Sequence, residues 1–281
     1  MSYKISGKFF VILLILFGAA SNGLSQNNNS TTGKDNPVKK DTVIWNVVKF
    51  KNYTINYTDS DAGNFMTLKS YLDRGIDSVE NFFGSPYPDV FSVFVYPNRA
   101  SLDQHWQRDW GVPGFKSQCW MVASGVAERL DILSPSVWLS QACEHDPGNK
   151  KETQDLITHE LVHVYHGQNN PHPNFADMDD IGWFVEGLAV FVSGQLNKER
   201  IDRAKNVLHK GEDPKELKSL WGSKNKYGFS GLMVKYIFLK YGKQKLISLL
   251  PQTTEKGILS ALNITASKLL KDWRGWILRN G

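Results

Sequence analysis

Residues 153–165 read TQDLITHELVHVY, and the interpretation of the whole chain turns on them. Their apolar residues recur with a helical period. Asn149, three residues before Glu152, predicts an N-terminal cap, and Gly167 is placed to end the helix. Residues four apart on a helix share one face, so His159 and His163 present two imidazoles to one point, with Glu160 directly after the first. That spacing suits two ligands of a metal ion and a carboxylate beside it. The chain has 7 histidines in 281 residues. Composition alone would produce such a pentapeptide in only about 0.006 of comparable chains.

A catalytic zinc wants three protein ligands and an open fourth position. The continuation HExxHxxGxxH fails here, because His166 stands at the glycine position and Asn169 at the last histidine position. The downstream stretch GWFVEGLA, residues 182–189, offers Glu186, with 22 residues separating it from His163. It falls in a second predicted helix that begins at Asp179-Asp180 and ends near Gly194. A carboxylate inside the apolar run WFVEGLAVFV is costly to bury unless it is paired or binds a metal.

Ahead of these helices the pattern is mixed. Residues 49–57 (KFKNYTINY) alternate as a strand does. Residues 62–83 carry Phe65, Leu68, Leu72, Ile76, Val79 and Phe83 at helical spacing, stopped by Gly84 and Pro86. Residues 90–96 (VFSVFVY) predict a buried strand, and residues 120–133 a pair of short strands or one long one. Behind residue 149 the chain predicts helices near 150–166, 181–193, 229–241, 243–250 and 265–279.

With these residues in view, the chain resembles the gluzincin zinc metallopeptidases, the thermolysin-like class with HExxH on one helix and a glutamate on a following one. It is most similar to the peptidase-MA-like group, whose second helix reads W-x-x-E-G-x-A; Trp183, Glu186, Gly187 and Ala189 match. The segment Tyr227-Gly-Phe-Ser230, followed by an apolar helix to Tyr241-Gly242, also recurs in that group. The resemblance spans about residues 50–279 and implies an α+β, zincin-like fold. In such a fold a small mixed or antiparallel sheet with an edge strand precedes a mainly helical C-terminal half, and the active site lies between them. It implies one catalytic Zn2+ held by His159, His163 and Glu186, with Glu160 as general base on a zinc-activated water and later as proton donor. Tyr227 is the candidate oxyanion donor, although an ordinary core or rim tyrosine reads equally well. Ser124, Gly125, Val126 and Ala127 resemble the edge strand along which an extended peptide or protein substrate lies, and a plain internal strand is the alternative. One departure stands out. Thermolysin-like enzymes often carry an acid four positions after the glutamate ligand to orient a histidine, and here that position is Val190. Asp155, Asp177, Asp179 or a backbone carbonyl would then have to serve. His166 and His172 read as a surface helix end and a loop rather than as further ligands.

The remaining features bound the setting. Lys4, Lys8 and the apolar run of 12 residues from Phe9 to Ala20 predict an export signal over residues 1–25, with cleavage after Gly23 or Ser25. The run is short of the roughly 20 residues that a spanning helix needs, so no stable membrane insertion is expected after cleavage. Residues 26–41 form a polar leader, and residues 42–281 the peptidase domain, with an α/β part over 42–148 and a helical part over 149–281. The net charge of +5 falls to +3 without Lys4 and Lys8, too little and too scattered for a nucleic-acid partner. Cys119 and Cys143 are the only cysteines; they read either as a disulfide in an oxidising compartment or as two free thiols. Trp106, Trp110 and Trp120 either fill the core or line a substrate pocket. A zinc-binding, peptide-binding protein without turnover is the alternative function, and the intact Glu160 argues against it.

Overall fold

A computed structural model describes residues 43–280. The predicted export signal (1–25) and polar leader (26–41) lie outside the described residues. The front half runs β1 (Asn46–Lys49), β2 (Tyr53–Tyr57), α1 (Phe65–Phe83), β3 (Phe91–Tyr96), α2 (Arg99–Asp109), β4 (Ala123–Val126), β5 (Arg129–Leu133) and a short α3 (Trp138–Gln141). The rest is helical: α4 (Lys150–Gln168), α5 (Gly182–Val192), α6 (Lys198–His209), α7 (Lys218–Trp221), α8 (Lys226–Tyr241), α9 (Lys243–Ile247), α10 (Glu255–Leu262) and α11 (Ala266–Asn280). The expected mixed front and helical back are therefore present. No helix among the described residues is long and apolar enough to cross a membrane.

The five strands form one mixed sheet in the order β1-β2-β3-β5-β4. Its centre is parallel and both edges are antiparallel. Residues 49–57 are not a single strand. Phe50 to Asn52 turn the chain, and the Phe50 N–H donates to the Tyr53 carbonyl at 2.8 Å, so the alternation belongs to a hairpin. Residues 120–133 are likewise a hairpin, β4 and β5, with β4 at the sheet's edge. Side chains of a strand alternate between faces. Val93, Val95, Leu130 and Ile132 join the main core. Tyr96 and Leu133 join a second cluster around α2 on the other face.

That second cluster explains most of the front-half tryptophans. Trp106 and Trp110 stack at 4.8 Å within it. Trp106 Nε1 donates to the buried Asp131 carboxylate at 3.2 Å, and Arg129 Nε does so at 2.6 Å, so this charge is paired as burial demands. α2 itself was not anticipated, because its exposed face is polar and its apolar residues are few.

The metal-candidate helix α4 is capped as the sequence predicts: Asn149 Oδ1 accepts the Glu152 N–H at 3.2 Å. Gly167 does not end it, however. The helix continues through Gln168, and Gly167 instead lets the β4–β5 turn approach. A Cβ there would sit 2.6 Å from the Pro173 carbonyl and 2.8 Å from the Ala127 nitrogen. Two further glycines make the same kind of contact. A Cβ on Gly125 would overlap the Glu160 carbonyl, which seats β4 on α4. A Cβ on Gly187 would overlap the Ser230 carbonyl, which seats α5 on α8. Gly187→Ala should therefore push α5 from α8 and destabilise the fold by about 1–3 kcal/mol, read as a lower urea midpoint at unchanged slope.

Candidate metal centre

α5 is buried along almost its whole surface, and Glu186 is the single charged side chain in GWFVEGLAVFV. The contact between Gly187 and Ser230 fixes its height against α8, while α4 faces it from the other side. Across that gap His159 Nε2 lies 3.4 Å and His163 Nε2 3.7 Å from Glu186 Oε2, and the two Nε2 atoms are 3.1 Å apart. All three ligand atoms fall within 4.8 Å of one another. Zinc bonds of about 2.0–2.2 Å in a tetrahedron separate neighbouring donors by about 3.3–3.5 Å. The observed spacings bracket that value. The donor set, two imidazole nitrogens and one carboxylate oxygen, is also one that zinc takes. These residues fit a zinc ion.

The electrostatics agree. Burial raises the Glu186 carboxyl, but His163 and the hydrogen bonds from both histidines outweigh it and hold the group well below the usual range. Burial lowers His163, and Glu186 more than restores it. A carboxylate and two imidazoles so close leave a site that favours positive charge.

Glu160 is buried beside this triad, and its carboxylate has no hydrogen-bond partner among the described residues. The Gly125 contact with its carbonyl places β4 directly over it. Tyr227, in the first turn of α8, is half-buried. Burial raises its phenol above the ordinary range, with Glu186 and more weakly Glu160 adding to the shift, so it stays protonated. Ser124, Gly125 and Val126 lie on β4, at the edge of the sheet and not inside it. The Leu133 N–H donates to the Val122 carbonyl, which makes 122/133 a bonded pair; by alternation Ala123 and Gly125 turn their peptide groups to the open edge. Ala127 lies beyond the strand, and its N–H is already given to Pro173 at 3.0 Å, so it has none left for a ligand.

Two local expectations need correction. None of Asp155, Asp177 and Asp179 orients a histidine: the Nδ1 atoms of His159 and His163 are buried without a partner among the described residues. Asp155 pairs with Lys151 instead. Val190 is not an acid because its place is in the α5–α8 contact, where a Cβ on Gly231 would meet its Cγ1 at 2.7 Å. His166 is no surface helix end. It is fully buried against Phe175 and Phe184, and its Nε2 donates to the Leu250 carbonyl at 3.1 Å. His172 is a loop residue, as expected, bound to the Ala176 carbonyl at 2.7 Å. Cys119 and Cys143 form a disulfide with their Cα atoms 5.2 Å apart. Lys226, which no sequence motif marks, lies beside Trp120, with its ammonium 5.3 Å from that ring's centre.

No protein-family profile and no curated protein matches the chain. Similar solved structures include an M1 zinc metallopeptidase from Deinococcus radiodurans, with 15% identity and a TM-score of 0.45 over 81% of this chain and 50% of that one. Another is a two-domain M1 zinc metallopeptidase variant bound to L-arginine, with 15% identity and a TM-score of 0.44 over 79% of this chain and 48% of that one. The chain thus spans about half the length of each.

Two outcomes follow from this geometry. Purified protein should carry about one zinc per chain by elemental analysis, and Glu186→Gln or His163→Ala should lose most of it. Burial, with His163 adding, also holds His166 neutral, its pKa pushed down to about 3 from 6.5. Its depressed folded value means that only the unfolded chain takes up this proton between pH 6.5 and 3, so stability falls as the pH drops through that window. His166→Gln, whose amide can still donate to Leu250, should lose less stability than the parent between pH 7 and 5 in urea denaturation.

Proposed function

We propose that the chain is a zinc-dependent metallopeptidase that hydrolyses peptide bonds. The observation that carries the reading is the convergence of His159, His163 and Glu186 at tetrahedral spacing, with the unpartnered Glu160 carboxylate beside them. His159, His163 and Glu186 would hold the ion. Zinc bound there would supply Lewis-acid polarisation and bring the pKa of water toward 7.

The chain's own residues supply the rest. Glu160 takes a proton from the attacking water and returns it to the leaving amine; a free carboxylate at this position suits both steps. Tyr227 keeps its proton at neutral pH and donates a hydrogen bond to the oxygen that gains charge in the transition state. The outward peptide groups of Ala123 and Gly125 receive an extended substrate as an added strand, and Gly125, lacking a side chain, lets β4 itself lie against the Glu160 main chain. The active site then lies between the sheet edge and the helical half. The export signal read over residues 1–25 and the disulfide between Cys119 and Cys143 favour an extracytoplasmic enzyme.

Chelator-sensitive cleavage of a denatured protein mixture by zinc-loaded protein is the expected result. Glu160→Gln should keep its zinc and lose about 10²–10⁴ of the rate. Zinc retention with no cleavage of any peptide by the parent would replace this reading with that of a peptide-binding protein. Tyr227→Phe should lower kcat by about 10²–10³ with a smaller change in KM, since the donor acts in the transition state.

A further inference from the structure

Lys226 opens α8, immediately before Tyr227, and its side chain is half-buried. Its ammonium stands 4.8 Å from the ring centre of Trp221, 5.1 Å from Tyr227 and 5.3 Å from Trp120. These rings come from α7, α8 and the loop before β4, so three separate segments converge on one cation. No carboxylate among the described residues comes within the 4.0 Å of an ion pair. None of its three N–H donors is taken by an acceptor among the described residues. The neighbouring cation is different: Arg200 also sits over Tyr227, at 5.1 Å, but its guanidinium is given to the Gln195 carbonyl at 2.9 Å.

The walls around Lys226 are braced. The Trp120 carbonyl accepts from His145 Nε2 at 2.8 Å, and the disulfide ties the adjacent Cys119 to Cys143. Arg99 donates to the carbonyls of Cys119 at 2.9 Å and Met121 at 2.8 Å, on either side of Trp120. On the helical side, Ser230 lies about one turn along α8 from Lys226 and touches Gly187, the neighbour of Glu186. The start of α8 that carries the ammonium therefore lies beside the segment of α5 that carries Glu186. Burial lowers the pKa of Lys226, while Glu186 and Glu144 act on it from beyond pairing distance.

Aromatic faces attract a cation but leave its hydrogen-bond donors unfilled. An incoming carboxylate would fill them with charge-assisted bonds. We propose that Lys226 is the substrate-reading cation of the cleft, which binds a peptide carboxylate near the scissile bond, either a chain's C-terminal carboxylate or an Asp or Glu side chain. The proposal rests on the peptidase reading for its substrate and on the aromatic cage for its site.

One peptide sequence in four forms tests it: C-terminal acid or amide, combined with an internal Glu or Gln, each with the same fluorescent label. The zinc-loaded parent should show a kcat/KM at least about tenfold higher for the form bearing the recognised carboxylate, and the arm that responds identifies its source. In Lys226→Met, which keeps the apolar stem between the rings, the ratio should fall toward one. Lys226→Arg should keep most of it. Anisotropy binding by zinc-loaded Glu160→Gln should show the same preference without turnover, lost when Lys226→Met is added; zinc content reports whether the double variant is folded. Equal binding of all four forms by Glu160→Gln, or an unchanged ratio in Lys226→Met, overturns the assignment. Preferential binding of a carboxylate form with no cleavage by the parent would keep Lys226 as the reader and remove the hydrolytic reading.

Discussion

Glu186 is one acid in a helix whose other side chains are apolar, and two imidazoles close on it from α4. A carboxylate in such surroundings survives only with compensating positive charge. The architecture serves that requirement. α4 brings its histidines on one face, α5 brings the acid, and α8 fixes how deep the acid sits. The two Nε2 atoms at 3.1 Å and the Glu186 carboxylate beside them crowd around one point. A divalent cation held there would supply the missing positive charge.

The parts of this arrangement that could be read from the sequence are those written in local spacing. HELVH states its geometry through the helical repeat, Asn149 announces its cap through a residue three positions on, and Glu186 is conspicuous as the acid in an apolar run. α1, α5 and α8 are similarly visible from periodicity and flanking glycines, whereas residues 120–133 read equally as one strand or two. The readings that failed depended on partners far along the chain. Gly167 looks like a helix stop until Pro173 and Ala127 are seen against it. His166 looks like a polar helix end until Phe175, Phe184 and Leu250 cover it. Val190 breaks an expected pattern because α8 occupies the space that an acid would need. Strand alternation at residues 49–57 was real but did not reveal the turn inside it.

The cleft's chemistry is more extended than its motif. Trp120 and Lys226 lie far apart in sequence, and each alone is an unremarkable residue. They meet because the disulfide, Arg99 and His145 hold one wall while the start of α8 forms the other. Around the triad the protein therefore places the Glu160 carboxylate, the Tyr227 phenol, the β4 edge and a caged ammonium. Each belongs to a different element, so the neighbourhood exists only in the assembled fold.

Gly125 and Gly187 place main chain against main chain on opposite sides of the triad. Peptide planes in contact yield far less than side chains that can change rotamer. The donors on α4 and on α5 therefore each stand on braced main chain, and together they would act as a gauge for an entering ion. Calcium, which wants six to eight oxygens at about 2.3–2.6 Å, meets too few donors set too close together. Discrimination among small divalent ions then falls to the nitrogen-rich composition of the gauge and to cellular supply.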